Sequence, residues 1–304
     1  MECLKYIFIL ILLVVLIWVA AFPVQGQEPS AAPRGKYIFR ATGGCNCHTD
    51  SKNKGAFLAG GRHIKTPFGN LYGTNITPDM KTGIGSWSDT DFIKAMTEGV
   101  GPNGAHYFPV FPYTSFTGMT EKDLLDLKTY LFSLPPMERE NNPQELLFPF
   151  SWRPGLKVWK WLYFQPGSFQ PDSSKSSEWN RGAYLVTALA HCGECHTPRS
   201  LTGSLKTTML YAGSVNGPEG KLAPNITPDE ETGIGKWRIV DIIWFLQTGL
   251  KPDGDDTQGV MSELIENGYS HLTEEDLKAV AAYLSSLSPI HNKVEAEEES
   301  TDHE

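Results

Sequence analysis

Apolar residues recur at helical spacing in two stretches that resemble one another. Leu124, Leu125, Leu127, Tyr130 and Leu131 follow Thr120-Glu121-Lys122-Asp123; Leu277, Val280, Ala281, Tyr283 and Leu284 follow Thr273-Glu274-Glu275-Asp276. A threonine cap and acidic residues in the first turn, ahead of one apolar stripe, predict an amphipathic core helix in each place. Helices are also predicted over Ser88 to Gly99 and Arg238 to Gly249, each begun after a tryptophan, Trp87 or Trp237, and stopped by a glycine. Both tryptophans are assigned to packing. Two further helical segments open around Gly35 and Tyr37 and around Gly182 and Tyr184, and each runs into a pair of cysteines.

A different pattern opens the chain. Tyr6 to Phe22 is one uncharged apolar run, preceded by Lys5 and followed by Gln25-Gly26-Gln27-Glu28. It sits between the length of a signal-peptide core and that of a membrane span, so two readings stand: residues 1–26 are a leader cleaved after Gly26, or an anchor that is kept. Both place the body of the protein across a membrane. Between the two halves, 137–177 is rich in proline and aromatics, including Phe148, Phe150, Trp152, Trp159, Trp161, Tyr163 and Phe164. So many large apolar groups predict a linker packed along the domains rather than a solvated tether. The tail, 291–304, is acidic and reads as disordered.

The likeness of the two helices extends to an internal repeat. Asn75-Ile76-Thr77-Pro78-Asp79 recurs as Asn225-Ile226-Thr227-Pro228-Asp229, and Thr82-Gly83-Ile84-Gly85 as Thr232-Gly233-Ile234-Gly235. The period is that of a whole domain, too long for a solenoid, so the halves read as tandem copies over 34–136 and 178–290. The Asn-Ile-Thr-Pro-Asp segments are turn chemistry first. Gly83, Gly85 and their counterparts are expected to let backbone pass close to another surface, the edge of a flat cofactor for instance.

Composition narrows the function. Of 304 residues, 40% are hydrophobic and 20% charged, enough for real cores, and the formal net charge of −9 without a basic stripe argues against nucleic acid. Five cysteines are too few and too paired for a disulfide framework: Cys3 lies in the leader and the other four form two tight pairs.

The second pair, Cys192-Gly193-Glu194-Cys195-His196, has the spacing at which two thiols add to the vinyl groups of haem while the histidine ligates iron. A redox dithiol would want a βαβ context, and zinc a second ligand pair; neither accompanies it. The first pair, Cys45-Asn46-Cys47-His48, has one spacer residue where the second has two. Gly35, Tyr37 and Cys45 align with Gly182, Tyr184 and Cys192, whereas Cys47 and His48 align with Cys195 and His196 only after a shift by one. Positions two apart do not share a helical face, so Cys45 and Cys47 reach two vinyls only with local unwinding. The expectation is that His48 ligates iron and Cys47 forms its thioether, with Cys45 strained or free. A redox pair, a disulfide or an empty degenerate copy are the competing readings.

An electron-shuttling iron needs a second axial ligand, and methionine raises its potential. Met261, in Gly259-Val260-Met261, is the expected ligand of the second site. In the first half the comparable loop, Phe108-Pro109-Val110-Phe111-Pro112-Tyr113, offers phenylalanine where a ligand would stand. Met119 is the expected ligand there, with His106 or a five-coordinate iron as competitors.

Together with Leu58-Ala59-Gly60-Gly61, Thr66-Pro67-Phe68-Gly69, Phe111-Pro112-Tyr113-Thr114-Ser115, Trp179-Asn180-Arg181-Gly182-Ala183-Tyr184-Leu185 and Cys192-Gly193-Glu194-Cys195-His196-Thr197-Pro198, these blocks resemble the dihaem cytochromes c related to the cytochrome subunits of bacterial periplasmic alcohol, gluconate and fructose dehydrogenases. The resemblance covers most of Gly35 to Pro289. It implies a mainly α fold of two tandem class I cytochrome c domains, two haem c groups with His/Met ligation, and relay of electrons in the periplasm from a dehydrogenase to an oxidase or another cytochrome of the respiratory chain. Two features depart from it: the shortened first motif, and the lack of the further domain that three-haem members carry. An electron carrier without substrate chemistry is the expected function. The rival is a small oxidoreductase of peroxidase or thiosulfate-oxidising type, catalytic at the atypical first haem. A purely structural tether is a third reading.

Overall fold

Capping residues set the ends of the helices where the sequence places them. The computed structural model describes residues 31–295; the apolar run at 6–22, the cleavage position at Gly26 and the tail beyond 295 lie outside them. In chain order the elements are helix α1 (Ala31–Ala41), strands β1 (His63–Thr66) and β2 (Gly69–Tyr72), helices α2 (Asp89–Glu98), α3 (Tyr113–Phe116) and α4 (Glu121–Phe132), strand β3 (Glu145–Leu146), then helices α5 (Pro154–Tyr163), α6 (Ser177–Tyr184), α7 (Ile239–Thr248), α8 (Val260–Asn267) and α9 (Glu274–Ser285). The order α1, α2, α3, α4 returns as α6, α7, α8, α9. Among the described residues no helix is long and apolar enough to cross a membrane.

Thr120 and Thr273 accept the backbone N–H of Asp123 and Asp276 at 3.1 and 3.2 Å, opening α4 and α9. Ser88 and Asp91 form a reciprocal capping box on α2, which Gly99 ends at φ 61°. In each half the first helix crosses the last at a glycine. A methyl group on Gly35 would fall 1.9 Å from the Asp126 carbonyl oxygen, and one on Gly182 would fall 1.9 Å from that of Ala279. Only glycine allows helices to approach so closely. Ile38, Phe39, Leu124, Leu127 and Leu131 of the first half and Leu185, Leu189, Leu277, Val280 and Leu284 of the second belong to one continuous core.

The repeated Asn-Ile-Thr-Pro-Asp loops are turns, as their chemistry predicts. Asn75 donates to Thr82 Oγ1 at 3.1 Å and to the Met137 carbonyl at 2.7 Å; Asn225 donates to Thr232 Oγ1 at 3.0 Å and to the Ile290 carbonyl at 2.7 Å. Each loop thus clamps the chain as it leaves the last helix of its half. The surface that Gly83 and Gly85 approach is the loop itself, since methyl groups there would lie 2.2 Å from the Thr77 oxygen and 2.3 Å from the Pro78 oxygen. This replaces the cofactor-edge expectation.

The segment 137–177 is more built than a linker. Its strand β3 pairs antiparallel with β2, which pairs with β1, in a three-stranded sheet ordered β1-β2-β3. Helix α5 buries Leu156 and Lys160, and the Lys160 ammonium donates to the Glu98 and Gly99 carbonyls at 2.6 and 2.8 Å, closing the C-terminal end of α2. Its aromatics divide. Phe150 packs on Phe68 and Phe164 on Tyr113, whereas Phe148 is 84% exposed and Trp161 82%, so the expected packing holds for one face only.

The halves are tied together reciprocally. Tyr184 of α6 donates to Asp123 and accepts the Thr120 N–H, so a second-half side chain caps the last helix of the first half. Tyr37 of α1 does the same for Asp276 and Thr273. Arg34 pairs with Asp123 and Asp126, and Arg181 with Asp276, holding those carboxylates from within each half.

Candidate functional site

The second motif begins with a reversal of the backbone. The chain leaves α6 through a widened turn over Leu185–Leu189, His191 takes φ 42°, and Cys192–Glu194 form a 3₁₀ turn. The His196 N–H donates to the Cys192 carbonyl at 3.0 Å, so one helical turn separates the two residues. His196 Nδ1 lies 2.7 Å from the Pro224 carbonyl oxygen. That carbonyl can only accept, which puts the proton on Nδ1 and leaves the Nε2 lone pair for a metal.

The first motif reaches the same end state with one residue fewer. His48 Nδ1 lies 2.7 Å from the Thr74 carbonyl oxygen, the position equivalent to Pro224. Thr49 Oγ1 accepts the Leu58 N–H at 2.9 Å, and Thr197 Oγ1 accepts the Tyr211 N–H at 3.0 Å. The histidine and the threonine after it thus play the same roles in both halves, and the missing spacer residue is absorbed upstream. Gly43, Gly44 and Cys45 all take left-handed φ, at 78°, 74° and 51°. For Cys45, which carries a Cβ, that conformation costs about 1 kcal/mol or more. The expected local unwinding is present, and Cys45 is where it falls. The shortened loop also draws the Cys47 carbonyl inward: a methyl group on Gly73 would fall 1.8 Å from its oxygen, while the equivalent position in the second half holds Ala223.

All four motif cysteines are free of disulfides. Burial pushes the Cys45 thiol up to about 11 and those of Cys192 and Cys195 to about 12, and it raises Cys47 as well. Yet Cys47 is exposed by surface area and both motif histidines are half-exposed. These groups are therefore crowded by protein on one side and reached by solvent on the other. Burial also lowers both histidines, opposed by the bonds to Thr74 and Pro224, which favours the neutral imidazole that a metal needs. Among the described residues no three His, Cys, Asp or Glu side chains converge as a zinc cage would require.

Each motif is packed by the short helix of the other half. Thr114 and Ser115 at α3 donate to Glu194 Oε1 at 2.5 and 2.8 Å, and Phe116 packs on His191. From α8, the Glu263 carbonyl accepts from Asn46 at 3.1 Å and the Glu263 carboxylate pairs with Arg62. The motifs are also neighbours. After burial and Glu194, a charge on Cys47 is a further influence raising the Cys195 thiol.

The two methionines are placed differently. On α8 the residues that meet the first motif, Glu263, Leu264 and Asn267, occupy one face. Met261 and Ile265, four apart, share another, and the Ile265 side chain reaches toward Gly249 at the end of α7. Met261 is half-buried and thus faces the interior of its own half. Met119 is 1% exposed, within the continuous core, and borders a shallow cavity of about 300 Å³ walled by Ile93, Thr97, Leu124 and 166–168, with no residue of the Cys45–His48 segment. A cavity of about 320 Å³ touches the second motif only at Gly193. Neither cavity contains a motif thiol or imidazole, and the sites are placed by the donor groups rather than by these hollows.

No protein-family model matches the chain. It is 40% identical over 263 residues to a dihaem c-type cytochrome of Cereibacter sphaeroides, covering 85% of this chain and 86% of that protein. The chain belongs to the dihaem c-type cytochromes. Haem c is the cofactor of such a cytochrome, and the paired thiols with an Nδ1-tethered imidazole fit it in both halves. The chain is also 38% identical over 267 residues to the fructose dehydrogenase cytochrome subunit of Gluconobacter japonicus, and 39% identical over 277 residues to one of the subunits of a nicotinate dehydrogenase from Pseudomonas putida. These matches cover 87% and 89% of this chain but span only 54% and 22% of those longer proteins.

The sequence reading missed the contacts between each motif and the opposite half. Glu194 was the available signal, an acidic residue inside a motif spacer, but nothing in one dimension pairs it with Thr114 and Ser115.

Proposed function

We propose that this cytochrome carries two haem c groups, one in each of two tandem cytochrome c domains over 34–136 and 178–290, and relays single electrons from a dehydrogenase to the respiratory chain in the periplasm. The observation that carries the reading is the matched pair of imidazoles, each tethered through Nδ1 to an equivalent carbonyl beside a cysteine pair. Cys192 and Cys195 would bond the second haem, and His196 and Met261 would ligate its iron. Cys47 would hold the first haem by one thioether, with His48 on the iron and Cys45 unbonded. When bound, haem c supplies a reversible one-electron change at iron.

The protein's own part is to hold and enclose. The Thr74 and Pro224 carbonyls fix imidazole orientation and keep the ligating nitrogen unprotonated. The reciprocal tyrosine caps and the α3 and α8 contacts fix one motif against the other, which supports transfer between neighbouring haems without domain motion. The names of the relatives support a dehydrogenase as donor, and export with the 1–26 segment acting as leader or anchor supplies the compartment in which haem c is attached.

Mass spectrometry of the protein matured in a host that attaches haem c tests this directly. Two haem masses per chain are expected, with residues 1–26 lost if they are a leader and kept if they are an anchor, and with reduction by a dehydrogenase. Colourless protein, or zinc in place of iron, would end the reading.

A further inference from the structure

The two halves differ in the loop that leads into α3 and α8, and the backbone shows where the difference lies. After α2 and α7 the chain forms the same hairpin twice. Tyr107 N–H donates to the Gly99 carbonyl at 2.8 Å and Thr257 N–H to that of Gly249 at 2.9 Å. Gly101 N–H meets the Ala105 carbonyl at 2.9 Å, and Lys251 N–H meets that of Asp255 at 2.8 Å. Bridges Val100 to His106 and Leu250 to Asp256 complete the match. Every pair is related by the same offset, and continuing it sets Phe111 opposite Met261.

The register survives beyond the hairpin. Gly118 and Gly268 stand at the same offset, and each passes the first helical segment of the other half, Gly118 against Ala188 and Gly268 against the Arg40 carbonyl and Gly43. No residue is gained or lost in between, so Phe111 occupies the methionine position. Its ring packs on Tyr107 and Phe116 at 5.9 and 5.7 Å and offers iron no lone pair.

Neither sequence-level substitute fills the gap. Met119 stands directly before the Thr120 cap, as Leu272 stands before Thr273, and both are core side chains, 1% and 9% exposed. His106 is held between α2 and α5: it is bridged to Val100 just after α2, and its carbonyl accepts from Arg153 beside α5 at 3.3 Å, where after burial Lys160, Lys157 and Lys94 lower its pKa.

We propose that the haem iron held by His48 has no protein ligand on its distal side and binds a small exogenous axial ligand there, whereas the iron held by His196 and Met261 does not. The inference rests on the two-haem reading above. It makes the first site a binding site for small π-accepting ligands such as carbon monoxide, with Phe111 as the residue that determines this.

The test uses full-length holoprotein, reduced and titrated with carbon monoxide, after the haems have been counted by mass. One carbon monoxide per two haems is expected, together with a ferric methionine charge-transfer band of one-haem intensity. Phe111→Met should lower carbon monoxide uptake at least tenfold, Met261→Ala should raise it to two per chain, and Met119→Leu should leave it at one. Two haems with no carbon monoxide bound would overturn the inference alone. So would uptake rising to two in Met119→Leu or in His106→Gln. One haem per chain would overturn the two-haem reading and this inference with it.

Discussion

Replacing Tyr184 by phenylalanine isolates the cap that the second half supplies to the first. The ring, packed on Phe169 at 5.5 Å, is kept; the hydroxyl, with its donation to Asp123 and its acceptance of the Thr120 N–H at 3.1 Å, is removed. Asp123 is 2% exposed and Tyr184 7%, so no water replaces the lost donor at the carboxylate. A hydrogen bond to a buried charge and one neutral bond together are worth about 3 kcal/mol. For a chain of this size that corresponds to a fall of about 5 °C in Tm. The measurement is a thermal melt of holoprotein followed by far-ultraviolet circular dichroism, with Tyr37→Phe alongside. Tyr37 makes the equivalent bonds to Asp276 and Thr273 from a more exposed place, so its variant should lose less. A Tyr184→Phe loss below about 1 kcal/mol, or one smaller than that of Tyr37→Phe, would refute the reasoning.

Gly182→Ala should cost about 3 kcal/mol or prevent folding, because its methyl group meets the Ala279 carbonyl, and yield of soluble holoprotein checks it. Inserting one glycine between Cys45 and Asn46 restores the two-residue spacer and should move the alkaline pyridine haemochrome band of the first haem toward that of a two-thioether haem; an unmoved band would mean that Cys45 is already bonded. Cys45→Ala should keep both haems, whereas Cys47→Ala should lose the first, as read by haem staining under denaturing conditions. Burial opposes ionisation of Asp276, but the bonds from Arg181 and Tyr37 prevail and hold its pKa below the usual carboxylate value. Its stabilising contribution is therefore full above that ordinary value and is lost as pH falls through the depressed one. Asp276→Asn should lower Tm at neutral pH and flatten its fall in acid.

Much of this was legible in the residues. Thr120, Thr273, Ser88 and the glycines after α2 and α7 carry their structural meaning locally, and the helices begin and end where those caps stand. The one-residue deficit between Cys45 and Cys47 could be placed in the spacer by alignment alone, and the left-handed Cys45 is its physical expression. What escaped is non-local. Strands β1 and β2 are short, and β3 reaches them only because Asn75 and Asn141 fold the exit of α4 back over the first half. The exposure of Trp161 beside the burial of Lys160 reverses what hydropathy predicts, since Lys160 answers the open carbonyls of α2. That phenylalanine stands in the loop comparable to that of Met261 was legible, but the hairpin bonds that set Phe111 itself at the same offset were not, and the burial of Met119 cannot be read from its position before a cap.

Because the threonine cap of the last helix in each half is buttressed by a tyrosine of the other, a cut between the repeats would strip both caps of that support. Duplication here has ended in mutual dependence: neither copy is finished without a side chain on loan from its sibling.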